Sequence, residues 1–357
     1  MVRGVRRSSG PLDARAQAIL RAVIEEYVTT AAPVGSQTLV ERYPFRVSSA
    51  TVRNVLAELE TEGFLGHPHT SAGRVPTDEG YRFYVESLIA DMPLPPIEQL
   101  MIRHQFGQVE FATDQWFRLA ATTLASATHS AGLATPAKPR AARIRRLELV
   151  SIGERMASLI VVLNEGSLKQ ALLTLEPGTS EDELAEAAQR LNRSCMHLTS
   201  ADLAERLRWF EDAPADDPVF TLVRRAGERA LRILREFDAA TVEQLFSDGL
   251  LHVMAEPEFA ASEKLRRVFA ALENRTYLGE LFEEVTRAGD LRVYIGRENR
   301  TEEMADVALV LAPYGRPGSA VGVVGVLGPT RLRYAQAIGS VRFVSALMND
   351  LVDHLYA

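Results

Sequence analysis

Three short helical segments follow one another between residues 13 and 64, and residues that end helices separate them. In the first, DARAQAILRAVIEEYVTT, apolar residues recur at steps of three and four, which is typical of a helix with one buried face. Pro33 interrupts this pattern, and Pro44 ends the second segment, SQTLVERY. The third, VSSATVRNVLAELETEGF, has its own apolar stripe, with Gly63 just past the helix. Three short helices with tight connections predict a helix-turn-helix unit.

The first turns of the third segment carry residues suited to contact DNA. In such a unit the third helix enters the major groove, and its N-terminal residues contact the bases. Arginine pairs with guanine and asparagine with adenine, so Arg53 and Asn54 are candidates for base contacts. A helix N-terminus capped by serine also binds phosphate. The alternative is that the hydroxyls only cap helices and that Arg53 is solvated. The candidate DNA-contacting residues of the helical part are Ser36, predicted to cap the second helix, Ser48, Ser49, Thr51, Arg53 and Asn54.

A hairpin is predicted directly after the third helix. FLGHPH and GRVPT are short extended pieces on either side of the turn TSAG, and Pro68 and Pro76 mark an exposed edge. A hairpin at this position is a wing, whose tip lies against the sugar-phosphate backbone beside the third helix. Arg74 is predicted to supply charge there. The other predicted contacts of the wing are His69, Thr70 and Ser71.

Charge and cysteine content limit the remaining possibilities. The formal net charge of −7 argues against DNA binding by the whole surface, whereas the first 76 residues carry roughly +2. A single cysteine, Cys195, forms no internal disulfide and is expected to be a packing residue. Neither a membrane-spanning apolar run nor a secretory signal is evident, so a cytoplasmic location is expected.

The rest of the chain alternates strands and helices. The segments RRLELVSIG, ASLIVVLNEG and SLKQALLTLE predict an antiparallel meander. A helical, charged stretch follows, and the strands then resume at DLRVYIGRE, so the sheet is predicted to contain an insertion. Helices beside a mixed sheet give an α+β domain. The polar stretch TPAKPRAARIRR before the meander is either a second DNA contact or a solvated approach to a strand, and its cations are Lys138, Arg140, Arg143, Arg145 and Arg146.

Two stretches carry a family resemblance. The first runs from Pro33 to Val85 and includes PHTSAGRVPTDEGYRFYV, and the second is GVLGPTRLRYAQAIGSV at residues 325 to 341. Both resemble the heat-inducible transcription repressor HrcA family of bacteria. The resemblance implies an α+β multidomain fold with a winged helix-turn-helix head at 1–90 and a Pro-rich linker at 91–97. It further implies a GAF-like domain at 98–177 and 241–357, interrupted by a helical dimerising domain at 178–240.

The resemblance also implies a function. Such repressors bind an inverted-repeat operator of groE and dnaK chaperone operons as homodimers, and they release it on heat stress. The GroE chaperonin is implied as a partner that keeps the repressor active.

A GAF-like domain raises the alternative of a winged-helix regulator that senses a small-molecule ligand. The chain has no phosphate-binding glycine loop and no GxSxG or HExxH motif, so an enzyme is the poorest fit. Gly322, Gly325 and Gly328 lie in a strand pattern, where close backbone packing is expected. His67 and His69 lack a third ligand nearby, so neither a metal nor another cofactor is predicted.

Overall fold

The structure is a computed structural model that describes residues 12–68, 73–89, 93–107, 113–139, 141–164, 166–208, 217–239, 244–259, 262–316 and 320–356. Its Cα packing divides the chain into two compact units. The first unit comprises Met1–Thr135, Leu245–Pro313 and Val323–Leu347, and the second comprises Pro136–Gln244, Tyr314–Gly322 and Met348–Ala357. Within the part of the chain that is described, no helix is both long and apolar enough to span a bilayer.

Groups of helices and groups of strands follow one another along the chain. The α-helices are α1 (Ala14–Thr30), α2 (Ser36–Arg42), α3 (Ser49–Thr61), α4 (Asp78–Phe83), α5 (Pro96–Phe106), α6 (Thr113–Thr128), α7 (Glu181–Cys195), α8 (Ser200–Arg208), α9 (Pro218–Ala239), α10 (Leu250–Met254), α11 (Ser262–Glu273), α12 (Arg275–Ala288) and α13 (Tyr334–Tyr356). The strands are β1 (Leu65–Gly66), β2 (Val75–Pro76), β3 (Ala131–Ala134), β4 (Lys138–Pro139), β5 (Ile144–Gly153), β6 (Met156–Leu163), β7 (Leu168–Thr174), β8 (Phe246–Asp248), β9 (Arg292–Ile295), β10 (Val307–Gly315) and β11 (Ala320–Pro329). A π-helical turn, Tyr84–Leu88, continues α4.

Residues 12–89, called the head below, form the predicted helix-turn-helix with a wing. The apolar stripe of α3 is buried as predicted and packs with the buried faces of α1 and α2. Burying a leucine or valine side chain contributes roughly 1.5–3 kcal/mol, so these stripes stabilise the packing of the three helices on one another. The buried stripe residues are Ile19, Leu20, Val23 and Ile24 of α1, Leu39 of α2, and Val52, Val55, Leu56 and Leu59 of α3.

Ser36 does not cap α2, contrary to the prediction. Gly35 occupies the N-cap position in extended conformation, without a side-chain hydrogen bond to the helix, and Ser36 is the first helical residue. By contrast, the Ser48 side chain accepts the backbone N–H of Thr51 and caps α3. The sequence placed a good capping residue at both positions, but only the backbone path decides which residue is the last non-helical one.

The strands form two larger sheets besides the wing. One has the order β8-β3-β11-β10-β9, with β4 paired to β11, and every pair in it whose register is described is antiparallel. The other contains only β5, β6 and β7 in antiparallel order. The predicted α+β class is confirmed. The meander predicted within 98–177 as part of the first sheet is instead a separate sheet.

The separate sheet belongs to the second unit together with α7, α8 and α9. Leu147 of β5 and Leu159 of β6 share a core with Leu191 of α7 and Leu234 of α9. The compact insertion therefore starts near Pro136, rather than at residue 178 as predicted. The physical reason is that, among the described residues, one face of these strands is covered by α7 and α9, which lie in the same unit.

The head lies in the same compact unit as the larger sheet. Residues 93–135, 245–313 and 323–347 are called the sheet part below, and α5 already begins at Pro96 inside the predicted linker. Arg82 of the head donates to the Glu298 carboxylate and, at 2.7 Å, to the Val293 carbonyl. The guanidinium of Arg331, a side chain only 10% exposed, binds the carboxylates of Glu256 and Glu258. It also donates to the carbonyl of Val28 in α1, at 3.3 Å.

Candidate nucleic-acid interface

The exposed face of α3 is polar and carries small residues at the positions nearest its N-terminus. Its residues recur at steps of three and four, opposite the buried stripe, and are Ala50, Arg53, Asn54, Ala57, Glu58 and Thr61. Arg53 and Asn54, the two predicted base-contacting residues, are therefore exposed side by side. Small alanine side chains on both sides of them let a helix approach closely into a groove. The structure places these residues as predicted, while their contact with DNA stays a prediction.

Hydroxyl groups bind the first turns of α2 and α3 to each other. The hydroxyl of Ser36 lies 3.0 Å from that of Ser49, and the hydroxyl of Ser48 lies 3.0 Å from that of Thr51. Ser48 caps α3 and remains exposed, so its contact with a phosphate stays a prediction. Ser36 and Ser49 fix the spacing between the two helices, which sets how α3 is presented.

Two further arginines lie near this face, and the sequence reasoning did not single them out. Arg46 is exposed in the turn between α2 and α3, two residues before the cap of α3. That position was the available signal, because a cation beside a helix N-terminus suits a phosphate. Arg42 is also exposed, but it is ion-paired with Glu26, whose side chain is only 9% exposed.

The wing is present as a two-stranded hairpin. β1 and β2 pair antiparallel, with Leu65 opposite Pro76 and Gly66 opposite Val75. The predicted contacts His69, Thr70 and Ser71 lie outside the described residues. What is described is the base of the wing, and it packs closely against the helices.

Arg74 differs from the free cation that the sequence led us to expect. Its side chain is 18% exposed, and its Nη2 lies 2.7 Å from a carboxylate oxygen of Glu60 on α3. Its Nη1 lies 3.1 Å from Nδ1 of His67 on the other side of the hairpin. Arg74 therefore connects the wing to α3, and a direct contact with the DNA backbone would require this ion pair to open.

The neighbours of Arg74 fit the same structural interpretation. The backbone of Arg74 pairs with that of Val34 in both directions, each hydrogen bond 2.8 Å long. A Cβ added to Gly73 would lie 2.5 Å from the Val34 carbonyl group, so only glycine fits there. Thr77 donates its hydroxyl to the carbonyl of Gly63 at 2.6 Å and caps α4. GRVPT is thus a segment that locks the base of the wing.

Comparison with known proteins decides the family. A family model described as the HrcA protein C terminal domain matches residues 114–338. The heat-inducible transcription repressor HrcA of Chloroflexus aurantiacus is 42% identical, covering 98% of this chain and 96% of that protein. The corresponding repressor of Roseiflexus castenholzii is 40% identical, covering 96% and 95%. The chain belongs to the HrcA family.

The fold is shared with a solved structure. A crystal structure of a hypothetical protein at 2.2 Å resolution covers 97% of this chain and 100% of its own, with a TM-score of 0.61 and 22% identity. The family relatives are named as repressors rather than enzymes, in agreement with the class of function expected from the sequence.

The basic stretch that runs into β5 is largely engaged within the second unit of this HrcA family member. Arg143 donates to the carbonyl of His197 at 2.8 Å, and Arg146 is ion-paired with Glu148 at 2.6 Å. The ammonium of Lys138 binds the Phe237 carbonyl. Arg140 lies outside the described residues. These contacts favour the structural interpretation of the stretch over a second DNA contact.

Two kinds of reactive site were considered from the sequence, a cysteine nucleophile and a metal site. Cys195 is fully buried in the core of the second unit, and burial raises the pKa of its thiol to about 11, so the reactive thiolate does not form near neutral pH. Among the residues described, no group of three or more histidine, cysteine or acidic side chains is arranged to hold a metal ion.

Proposed function

We propose that this HrcA family member is a repressor that binds an inverted-repeat operator of heat-shock chaperone operons, of the groE and dnaK type, as a homodimer and releases it on heat stress. The names of its relatives support heat-inducible repression. The observation that carries the DNA-binding step is the exposed face of α3, where Arg53 and Asn54 stand between alanines.

Base recognition by Arg53 is tested by comparison with Arg46. Replacing Arg53 with alanine is expected to lower the affinity for the operator by about 1–3 kcal/mol and to relax the preference at one base pair. Arg46→Ala is expected to weaken binding to operator and random duplex alike and to reduce the salt slope by about one. Fluorescence anisotropy with both duplexes at several salt concentrations measures these changes. If Arg53→Ala lost equal affinity for the two duplexes, Arg53 would have no role in base recognition.

A dimer is supported by the energetics of operator selection. One helix and wing contact few base pairs, whereas a specific site must be preferred over random DNA by roughly 4–10 kcal/mol. Two heads related by a two-fold axis supply this margin and require a palindromic site.

The surface that we propose for the dimer is the outer face of the β5-β6-β7 sheet. We expected the helices of 178–240 to form the dimer contact. The apolar faces of α7 and α9 are instead buried in the core that these helices share with the sheet. The outer face of the sheet carries exposed apolar side chains instead, which are 43–60% exposed and are Val150, Ile152, Met156, Leu168 and Leu172. A second copy of the same face is the occupant with matching chemistry, because a two-fold contact places one patch on itself.

The GroE chaperonin is proposed as the partner that keeps the repressor active, on the strength of the family resemblance. Adding chaperonin to the chain and a labelled inverted repeat is expected to raise the fraction of bound operator. Release by a small metabolite instead would favour the ligand-sensing alternative. The glycines of β11 serve close packing, since a Cβ at Gly322 would lie within 2.4–2.5 Å of the Tyr314 ring and one at Gly325 within 2.3 Å of the Val310 carbonyl oxygen.

A further inference from the structure

We propose that Glu60 is a positioning residue for operator recognition. Through Arg74 and His67 it holds the wing at a fixed orientation to α3, and the arginine of GRVPT serves this connection rather than a phosphate contact. The inference rests on the proposed DNA-binding function, because it concerns how the head presents its two DNA-contacting elements.

Both oxygens of the Glu60 carboxylate face the wing. Oε2 lies 2.7 Å from Nη2 of Arg74, and Oε1 lies 3.6 Å from Nε2 of His67. The Glu60 side chain is 31% exposed and that of Arg74 is 18% exposed, so the pair is partly shielded from water. A charge-assisted hydrogen bond in such a position holds its geometry better than one between two freely solvated side chains.

His67 lies close to both Arg74 and Glu60. Arg74 can only donate, so Nδ1 of His67, 3.1 Å from Nη1 of Arg74, must accept. The remaining ring proton is then on Nε2, which lies 3.6 Å from Oε1 of Glu60. Arg74, His67 and Glu60 thus join both strands of the wing to α3.

The backbone of Arg74 adds a third element to this junction. Its N–H and C=O pair with those of Val34, in the turn that leads into α2. Side chain and backbone of one residue therefore set the wing against α3 and against the turn that leads into α2. The Nε of Arg74 is buried and has no hydrogen-bond partner among the described residues, so this part of the side chain lies inside the junction and is not extended to solvent.

The two possible roles of Arg74 predict opposite signs for Glu60→Gln. If Arg74 contacts phosphate, the substitution frees it and removes a negative charge from the head, so the affinity for operator and random duplex rises. If Glu60 positions the wing, the operator loses affinity while the random duplex does not. We expect the second result, with a loss on the order of tenfold, equivalent to about 1.4 kcal/mol.

The experiment uses the full chain with an inverted-repeat duplex and a scrambled duplex of equal length, measured by fluorescence anisotropy. Glu62→Gln, at an exposed glutamate just past α3, is the matched control for loss of one negative charge. It should leave the two affinities unchanged or raise both together. Arg74→Lys keeps the charge but not the two-pronged contact, so it should lose operator affinity like Glu60→Gln.

Exchanging the two charges of the ion pair distinguishes the loss of this contact from a simple folding defect. The pair Glu60→Arg with Arg74→Glu should bind the operator more tightly than Glu60→Arg alone, because the ion pair is restored with reversed polarity. Glu60→Gln binding the operator as tightly as the unaltered chain would overturn the inference, as would an exchange that restores nothing. An unaltered chain that bound both duplexes equally would instead overturn the proposed function.

Discussion

Replacing Leu172 with glutamate is expected to convert the protein from a dimer to a monomer and to lower its operator affinity by at least about a hundredfold, since the second head supplies much of the roughly 4–10 kcal/mol preference for a specific site. Leu172 is 60% exposed and lies in one row of the sheet with Ser158 and Val150. In a two-fold contact each substitution is present twice, and a carboxylate buried there without a partner costs several kcal/mol. Sedimentation equilibrium and operator anisotropy on the same samples measure both changes.

The matched control for this prediction is Leu100→Glu. Leu100 is 64% exposed on α5, next to the exposed Ile97 and Met101, so it offers the same kind of residue on a different apolar surface. It should leave the dimer intact. If Leu100→Glu produced a monomer and Leu172→Glu did not, the dimer contact would lie on α5 and not on the outer face of the sheet.

The head was largely predictable because the signals that specify it are local. The apolar spacing of α1 and α3 gives their buried faces directly, and Ser48 caps α3 where a serine was expected to do so. The same spacing placed Arg53 and Asn54 off the apolar stripe, and the structure exposes both of them. In these elements the chain is locally consistent with its tertiary packing.

The role of Arg74 was not predictable, because the sequence shows charges but not their partners. In the sequence Arg74 is a cation in a polar hairpin, and Glu60 is an acidic residue at the far end of a helix. Only the packing of the wing against the helices, with β1 on α3 and β2 on α1, brings them to 2.7 Å. The β5-β6-β7 meander has the same limitation: alternation shows that one face is buried, but not that α7 and α9 cover it.

Removing the charge of Arg331 is expected to destabilise the contact between the head and the sheet part. Arg331→Met keeps the apolar stem but leaves the carboxylates of Glu256 and Glu258 facing each other without a cation. It also removes the donor to the Val28 carbonyl at the end of α1, where a positive charge is favourable. Breaking a fully buried pair costs about 3–5 kcal/mol. The two glutamate side chains are 27% and 23% exposed, so we expect about 2–3 kcal/mol here.

This loss should lower the midpoint of thermal unfolding by roughly 5–10 °C, as followed by circular dichroism or calorimetry. Arg333→Met is the matched control, because Arg333 is exposed two residues along the chain and its loss should shift the midpoint little. Adding Glu258→Gln to Arg331→Met should recover part of the stability, since the unpaired carboxylates cause most of the loss. An unchanged midpoint for Arg331→Met, or no recovery in the double variant, would show that the head is held to the sheet part by its other contacts, such as the packing of Tyr81 on Tyr334 and the ion pair of Arg82 with Glu298.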